Sequence, residues 1–311
     1  MVAKSFHETV LMQEAVDALM VNDNGVYVDA TFGRGGHSRA ILERLGSDGR
    51  LVVFDKDPEA ISVAEEIQKT DARLELAHAP FSELEERMNA KGLSGCVDGI
   101  LFDLGVSSPQ LDVAERGFSF LRDGPLDMRM DPGIGVSAAE WINSAAEQDI
   151  ADVIYQYGEE RHSRRMARRI VLERAEKPIS TTGELAEIIK QANPAWERDK
   201  HPATRAFQGI RIFINDELGE LEKGLEQALT VLKIGGRLVA ISFHSLEDRI
   251  VKKFIALQAK GDNFPRGLPV SQDLLNPRLK AIGKRVKASS IEVEKNPRAR
   301  SAVMRIAEKI A

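Results

Sequence analysis

The strongest chemical signal in this chain is a set of carboxylates, each closing an apolar run, beside a cluster of glycines. Asp29 ends the run Val26-Tyr-Val-Asp29, and a glycine-rich turn follows, Thr31-Phe-Gly33-Arg-Gly35-Gly36-His37. Twenty residues after Gly35, Asp55 closes a second run, Arg50-Leu-Val-Val-Phe-Asp55. Asp103 closes a third, Val97-Asp-Gly-Ile-Leu-Phe-Asp103, and His244 ends a fourth, Arg237-Leu-Val-Ala-Ile-Ser-Phe-His244. Glycines in such a turn let the backbone approach a ligand, because no Cβ intervenes. A carboxylate at the end of the next strand can accept both ribose hydroxyls of a nucleoside cofactor. The chemistry implied is cofactor binding at the carboxyl edge of a parallel sheet.

These side chains need strands and helices to bring them together. The pattern predicts strand 25–31, helix 37–45, strand 50–55, helix 58–69, strand 73–78, helix 81–90 and strand 97–104. Such alternation reads as a parallel sheet covered on both faces. It stops after Gly105, where a glycine- and proline-rich stretch runs to Gly135. Helices follow, two of them opened by capping boxes, Ser137-x-x-Glu140 and Thr181-x-x-Glu184. The alternation resumes with a helix whose Leu218, Leu221, Leu225, Leu229 and Leu232 share one face, capped by Gly235-Gly236. Strand 237–244, helix 246–257, a loop over 260–277 and two strands near 286–294 and 301–309 complete an expected seven-stranded sheet. The expected divisions are 1–114 and 216–311 for the α/β core and 115–215 for an all-helical insertion.

Composition narrows the class. Hydrophobic residues make up 43% of the 311 and aromatic ones only 5%, which suits an aliphatic α/β core. Cys96 is the only cysteine, so disulfides within the chain are excluded and no thiolate metal site is expected. No run of 18 apolar residues occurs, and the first residues lack an apolar signal core, so a cytoplasmic protein without membrane contact is expected. The net charge of −5 reads against a nucleic-acid binder until its distribution is considered. Residues 158–211 hold 12 Lys/Arg against 8 Asp/Glu, and residues 280–311 hold 9 against 3. Arg164, Arg165, Arg168 and Arg169 fall within two helical turns and form a candidate RNA-binding surface; the alternative is that they pair with Glu159, Glu160 and Glu173.

A dinucleotide fingerprint requires a third glycine where this chain has Ser38, which disfavours a nicotinamide cofactor. Instead, Asp29-x-x-x-Gly33-x-Gly35-Gly36 resembles motif I of class I S-adenosylmethionine (AdoMet) methyltransferases. Six further motifs extend the likeness: His7-x-x-Val-Leu11, Phe102-Asp-Leu-Gly-Val-Ser-Ser-Pro-Gln110, Gly124-Pro-Leu-Asp-Met-Arg-Met130, His201-Pro-Ala-Thr-Arg-x-Phe-Gln-x-x-Arg-Ile212, Ser242-Phe-His-Ser-Leu-Glu-Asp-Arg249 and Asn296-Pro-Arg-Ala-Arg-Ser301. Together, and in this order, they resemble the RsmH (MraW) family, bacterial methyltransferases acting on N4 of a cytosine in 16S ribosomal RNA. The fold implied is a class I AdoMet-dependent methyltransferase, a Rossmann-like sheet with an inserted helical domain.

The resemblance implies that Gly35, Gly36, His37, Asp55, Phe81, Asp103 and Gln110 line an AdoMet site, and that the substrate lies in the decoding centre of the small (30S) subunit. Naked RNA and the assembled subunit are both open as substrates, and so is the oligomeric state, with a homodimer compatible. Many amino-methyltransferases carry Asp/Asn/Ser-Pro-Pro-aromatic after the fourth strand; this chain has Asp103-Leu-Gly-Val-Ser-Ser108. Asp103 is the candidate acceptor for an amine hydrogen, with a backbone carbonyl near Gly105 as the alternative. His244 either contacts the base or orients its loop. The competing functional readings are an AdoMet-dependent methyltransferase of another nucleic acid or of a protein, and a non-catalytic AdoMet-binding regulator.

Overall fold

The structure, a computed structural model, describes residues 9–194, 201–262 and 275–311. His7 of the first motif and most of the expected 260–277 loop lie outside the described residues. Contacts divide the chain into two compact units, residues 1–105 with 218–311, and residues 106–217. The sequence expectation sets these divisions at 114/115 and 215/216.

Along the first segment run α1 (Met12–Leu19), β1 (Val26–Asp29), α2 (Gly36–Arg44), β2 (Arg50–Asp55), α3 (Pro58–Gln68), β3 (Leu74–His78), a 3₁₀ turn from Phe81 to Glu83, α4 (Leu84–Ala90) and β4 (Val97–Asp103). The second unit follows with α5 (Ser108–Asp112), α6 (Ala138–Ser144), α7 (Glu147–Gln156), α8 (Ser163–Glu176), α9 (Thr182–Ala192) and α10 (Thr204–Ile214). The chain then returns through α11 (Glu217–Val231), β5 (Leu232–Ser242), α12 (Ser245–Lys260), β6 (Leu279–Ala281), β7 (Val286–Lys287), α13 (Ser290–Lys295) and β8 (Val303–Lys309).

The sheet has eight strands in the order β3-β2-β1-β4-β5-β8-β6, with β7 also paired to β8. Strands β1 to β5 are mutually parallel and β8 is antiparallel to β5. The parallel strands are near-continuous apolar runs because both faces are covered. Alternate residues feed two buried clusters. Val28, Val52, Phe54, Ile100 and Phe102 join Leu221 and Leu225 of α11. Tyr27, Leu51, Val53 and Leu101 join Leu19 of α1 and Ile41 of α2. The leucine face of α11 is thus core packing, as expected.

Three expectations for the end of the chain need correction. The sheet has eight strands, not seven. The expected strand at 286–294 is two strand residues followed by α13, because Ser289-x-x-Glu292 is a helix cap in which Ser289 Oγ accepts from Glu292 N at 3.1 Å. Gly235-Gly236 do not cap α11: the helix passes directly into β5 at Leu232, and the glycines lie where the β4–β5 register shifts between Val97↔Leu232 and Gly99↔Arg237. Gly235 takes φ +84° there, a conformation that favours glycine.

The second unit is helical, as expected, with one isolated bridge, Pro125↔Thr181, among its described residues. Its core gathers Met128, Trp141, Ile154, Met166, Ile170, Leu185, Ile189, Phe207 and Ile210. Both expected capping boxes form, with Glu140 N donating to Ser137 Oγ and Glu184 N to Thr181 Oγ1, each at 3.2 Å. The Gly124–Met130 motif is fastened inside this unit: Arg129 forms a two-pronged pair with Asp127, and Met130 N donates to the buried Asn215 Oδ1 at 2.8 Å.

Candidate active site

In the sheet unit the chain passes from β1 to β2 in one direction and to β4 on the other side. Ligands of open α/β sheets bind at the carboxyl ends of strands at such a switch point. Parallel pairing brings the ends of β1, β2 and β4 to one edge, and with them Asp29, Asp55 and Asp103.

Asp29 is 1% exposed and works inward. Its Oδ2 accepts from Ser38 Oγ at 2.6 Å and its Oδ1 from Thr31 N at 3.2 Å, so it ties the glycine turn to α2. Ser38, the residue that breaks the dinucleotide fingerprint, is itself fully buried and serves this bond. Gly35 takes φ +72°, and a Cβ on Gly36 would stand 1.8 Å from Thr9 Oγ1, so the turn admits no larger residue at either position.

Asp55, the expected ribose acceptor, closes β2 with its carboxylate already engaged by the backbone. Its Oδ2 accepts from Gly33 N at 2.7 Å and its Oδ1 from Asp57 N at 2.9 Å. Each carboxylate oxygen keeps a further lone pair for a ligand hydroxyl. Burial pushes its pKa up to about 6, against the lowering by those two amides.

Asp103 and His37 meet: His37 Nδ1 lies 3.4 Å from Asp103 Oδ2. His37 is 4% exposed. Burial works against its charged form, but the hydrogen bond and charge of Asp103, with the charge of Asp29, outweigh it and raise its pKa above the ordinary histidine value. The other oxygen, Asp103 Oδ1, and the other ring nitrogen, His37 Nε2, are buried without a hydrogen-bond partner among the described residues. Thr31, which the sequence reading does not single out, accepts Asp103 N on its Oγ1 at 2.7 Å and so locks the ends of β1 and β4 together. Its place inside the Asp29-x-x-x-Gly33 motif was the available signal.

Phe81 follows β3 as expected and is half-buried. It packs edge-on against Phe102 with ring centroids 5.5 Å apart, and a Cβ on Gly224 of α11 would stand 2.7 Å from its ring. His244 is the N-cap residue of α12, with Nε2 3.1 Å from Oε1 of the buried Glu247. Gln110 lies in the helical unit, where it is buried and its Oε1 accepts from Ser107 N at 2.9 Å.

The four arginines of α8 behave differently from one another. Arg169 pairs with Glu173 at 2.5 Å. Arg164, Arg165 and Arg168 are exposed and have no hydrogen bond or ion pair with any described residue. Glu160 is buried and accepts from His162 N instead. Internal pairing therefore accounts for one arginine of the four.

The model of the MraW methylase family matches residues 4–310. The chain belongs to that family. Solved structures similar to it include an rRNA methylase from Streptococcus thermophilus, at 12% identity over 96% of this chain and 94% of that one with a TM-score of 0.43. Others are an O-methyltransferase from Thermotoga maritima (10% identity, 96% and 64% coverage, TM-score 0.39) and 1,6-didemethyltoxoflavin-N1-methyltransferase from Burkholderia thailandensis (12%, 96% and 78%, 0.40).

As a member of the MraW methylase family the protein is an AdoMet-dependent methyltransferase. Its sheet edge fits that cofactor on the chain's own evidence. A carboxylate with spare lone pairs ends β2, a glycine turn too tight for side chains follows β1, and the buried Asp103 Oδ1 has no hydrogen-bond partner among the described residues. No helix among the described residues is long and apolar enough to cross a membrane.

Proposed function

We propose that this methylase transfers a methyl group to the exocyclic N4 of a cytosine in the decoding centre of 16S rRNA, acting on the assembled small subunit. The observation that supports the amine as acceptor is Asp103: one oxygen is held by His37, and the other is buried with no hydrogen-bond partner among the described residues, at the switch point of the sheet. The decoding-centre location and the assembled substrate rest on the family resemblance.

AdoMet, when bound, supplies an electrophilic methyl group on a sulfonium. Asp55 would hold its ribose hydroxyls, with Gly35, Gly36 and His37 along its methionine part and Phe81 behind its adenine. The amine of cytosine is a poor nucleophile because its lone pair is delocalised into the ring. Asp103 Oδ1 accepts an N–H of that amine and so restores lone-pair character on nitrogen. The proton becomes acidic only after the methyl has arrived, so a strong base is unnecessary, and positioning supplies most of the rate. His37 keeps Asp103 in one orientation. His244 Nε2 lies 3.1 Å from Glu247 Oε1, but neither ring nitrogen has a hydrogen-bond partner among the described residues, so both contact with the base and orientation of the loop after β5 are within its reach. The base is unstacked to enter, and Arg164, Arg165, Arg168 and Arg169 hold RNA phosphates from the helical unit.

Small subunits from a strain lacking this protein, incubated with it and tritium-labelled AdoMet, test the proposal. Mass mapping of the 16S rRNA is expected to find one N4-methylcytosine. Label in protein, in another base or at another position refutes the assignment, and label in naked RNA but not in subunits refutes the assembled substrate.

A further inference from the structure

The outer face of α8 carries a pattern that the cofactor site does not use. Arg165, Arg168, Arg169 and Leu172 stand at i, i+3, i+4 and i+7, one stripe of the helix, while Met166, Ala167 and Ile170 fill the core on the other side. The stripe faces Gln191 and Ala192 of α9 across a cavity of about 560 Å³. We infer that this groove seats one unpaired nucleotide of an RNA strand, its phosphates on Arg165 and Arg168 and its base against Leu172. The inference rests on the rRNA-methylating function proposed above and assigns part of its substrate contact.

Charge decides the class of ligand. The acidic groups near the groove are already engaged: Glu173 with Arg169, and Glu187 with Lys190. Gln191 is held as well, its Oε1 accepting from Arg169 at 3.4 Å and its Nε2 donating to Glu187 at 3.2 Å. That leaves Arg165 and Arg168, which have no partner among the described residues, to meet an anion. Two guanidiniums one helical turn apart fit successive anionic groups of a chain better than a lone ion.

Shape decides which form of RNA. A cavity of this size falls in the range of roughly 300–1,000 Å³ typical of small-molecule sites, and one nucleotide fits such a space. A duplex keeps its bases stacked inside and offers only phosphates and sugar hydroxyls. Leu172 is 56% exposed at the C-terminal end of this cationic stripe. An aliphatic side chain there adds nothing to phosphate binding, but it gives the face of an unstacked base an apolar surface.

The test uses the full chain and fluorescence anisotropy with a labelled 12-nucleotide single-stranded RNA and the matching duplex, each at several salt concentrations. The single strand is expected to bind more tightly. Leu172→Ala is expected to weaken it about fivefold, roughly what burial of one to two methylene groups contributes, with no change for the duplex and none in Tm. Arg165→Ala with Arg168→Ala should weaken both forms and flatten the single-strand salt slope by about 0.7 for each phosphate that is no longer neutralised. The inference is overturned if Leu172→Ala leaves single-strand affinity unchanged, if the duplex binds as tightly, or if poly-glutamate binds as well as RNA. Mass mapping of wild-type product separates the two readings: N4-methylcytosine with an indifferent Leu172 variant removes the groove alone, whereas a Leu172-dependent single-strand affinity without rRNA methylation removes the proposed function alone.

Discussion

Asp55 offers the sharpest check on the cofactor site, because its burial conflicts with the role proposed for it. Its carboxyl is buried enough to push its pKa up to about 6, yet it must be ionised to accept ribose hydroxyls well. The folded protein without ligand therefore favours the protonated form relative to the unfolded chain. Fold stability is higher below pH 3.8 and is lost as pH rises towards 6, by about 3 kcal/mol for a shift of this size. Cofactor binding runs the other way. If only the ionised carboxylate binds, affinity for S-adenosylhomocysteine falls about tenfold between pH 7 and pH 5.

Asp55→Asn removes the charge while keeping the shape. The carboxamide oxygen still accepts from Gly33 N or Asp57 N, but its NH₂ then faces the other amide. Two charge-assisted bonds at the lower end of about 1.5–3 kcal/mol each amount to roughly a 100-fold rise in Kd. The pH dependence below 7 should vanish in the same variant. Calorimetric titration of both proteins from pH 5 to 8 measures this, with circular dichroism to confirm folding. A wild-type affinity that is flat across that range, or an Asn variant within threefold of wild type at pH 7, would show that Asp55 does not hold the ribose.

Asp103→Asn should lower turnover far more than S-adenosylhomocysteine affinity; equal losses in single-turnover rate and in Kd would make Asp103 a cofactor holder only. Arg164→Glu with Arg168→Glu should weaken binding to small subunits and flatten its salt dependence while Tm stays within a degree or two, because neither arginine has a partner among the described residues to lose; a fall in Tm with unchanged RNA affinity would refute this. Ser38→Gly restores the third glycine but strips Asp29 of its 2.6 Å bond, so thermal unfolding should show a loss of about 1–3 kcal/mol and no gain of NAD binding. His37→Gln should remove a stability increment that wild type shows at pH 6 and loses as pH rises through the raised pKa of His37, because the imidazolium pairs with Asp103; parallel Tm–pH curves for the two proteins would refute the pairing.

The parallel half of the sheet was legible mainly because β1, β2 and β4 are largely apolar runs, each ending in a carboxylate, and burial on both faces demands such runs. Helix starts were legible where Ser137 and Thr181 begin capping boxes. The same signal at Ser289 was overridden by the β-like pattern around it, and β6, three residues long on a sheet edge, carries no periodicity to read. The pairing of His37 with Asp103 was not legible. It depends on β1 and β4 being neighbours, and strand order is a property of the assembled sheet rather than of any local stretch. For the same reason spacing placed Asp55 at a strand end but could not show that Gly33 and Asp57 already use both of its oxygens.

The charge balance at the sheet edge explains the departure at Ser38 and the choice of cofactor together. A dinucleotide site sets bare helix amides against a pyrophosphate and keeps nearby carboxylates few. Here the space behind the turn at the start of α2 holds Asp29, whose carboxylate is satisfied by Ser38 and the Thr31 amide. Asp55 and Asp103 add two more acidic groups, against one imidazolium on His37. A pyrophosphate brought into that set would meet like charge on several sides. A sulfonium and an ammonium would instead meet opposite charge, and only the carboxylate end of methionine would need backbone amides. Ser38 is therefore part of the turn's own architecture: its hydroxyl satisfies the buried Asp29, whose pKa burial raises above the ordinary carboxylate value against the lowering by that bond. The arginines proposed to meet RNA are carried by the other unit, on α8, so the proposed RNA surface and the carboxylates of the sheet edge belong to different units.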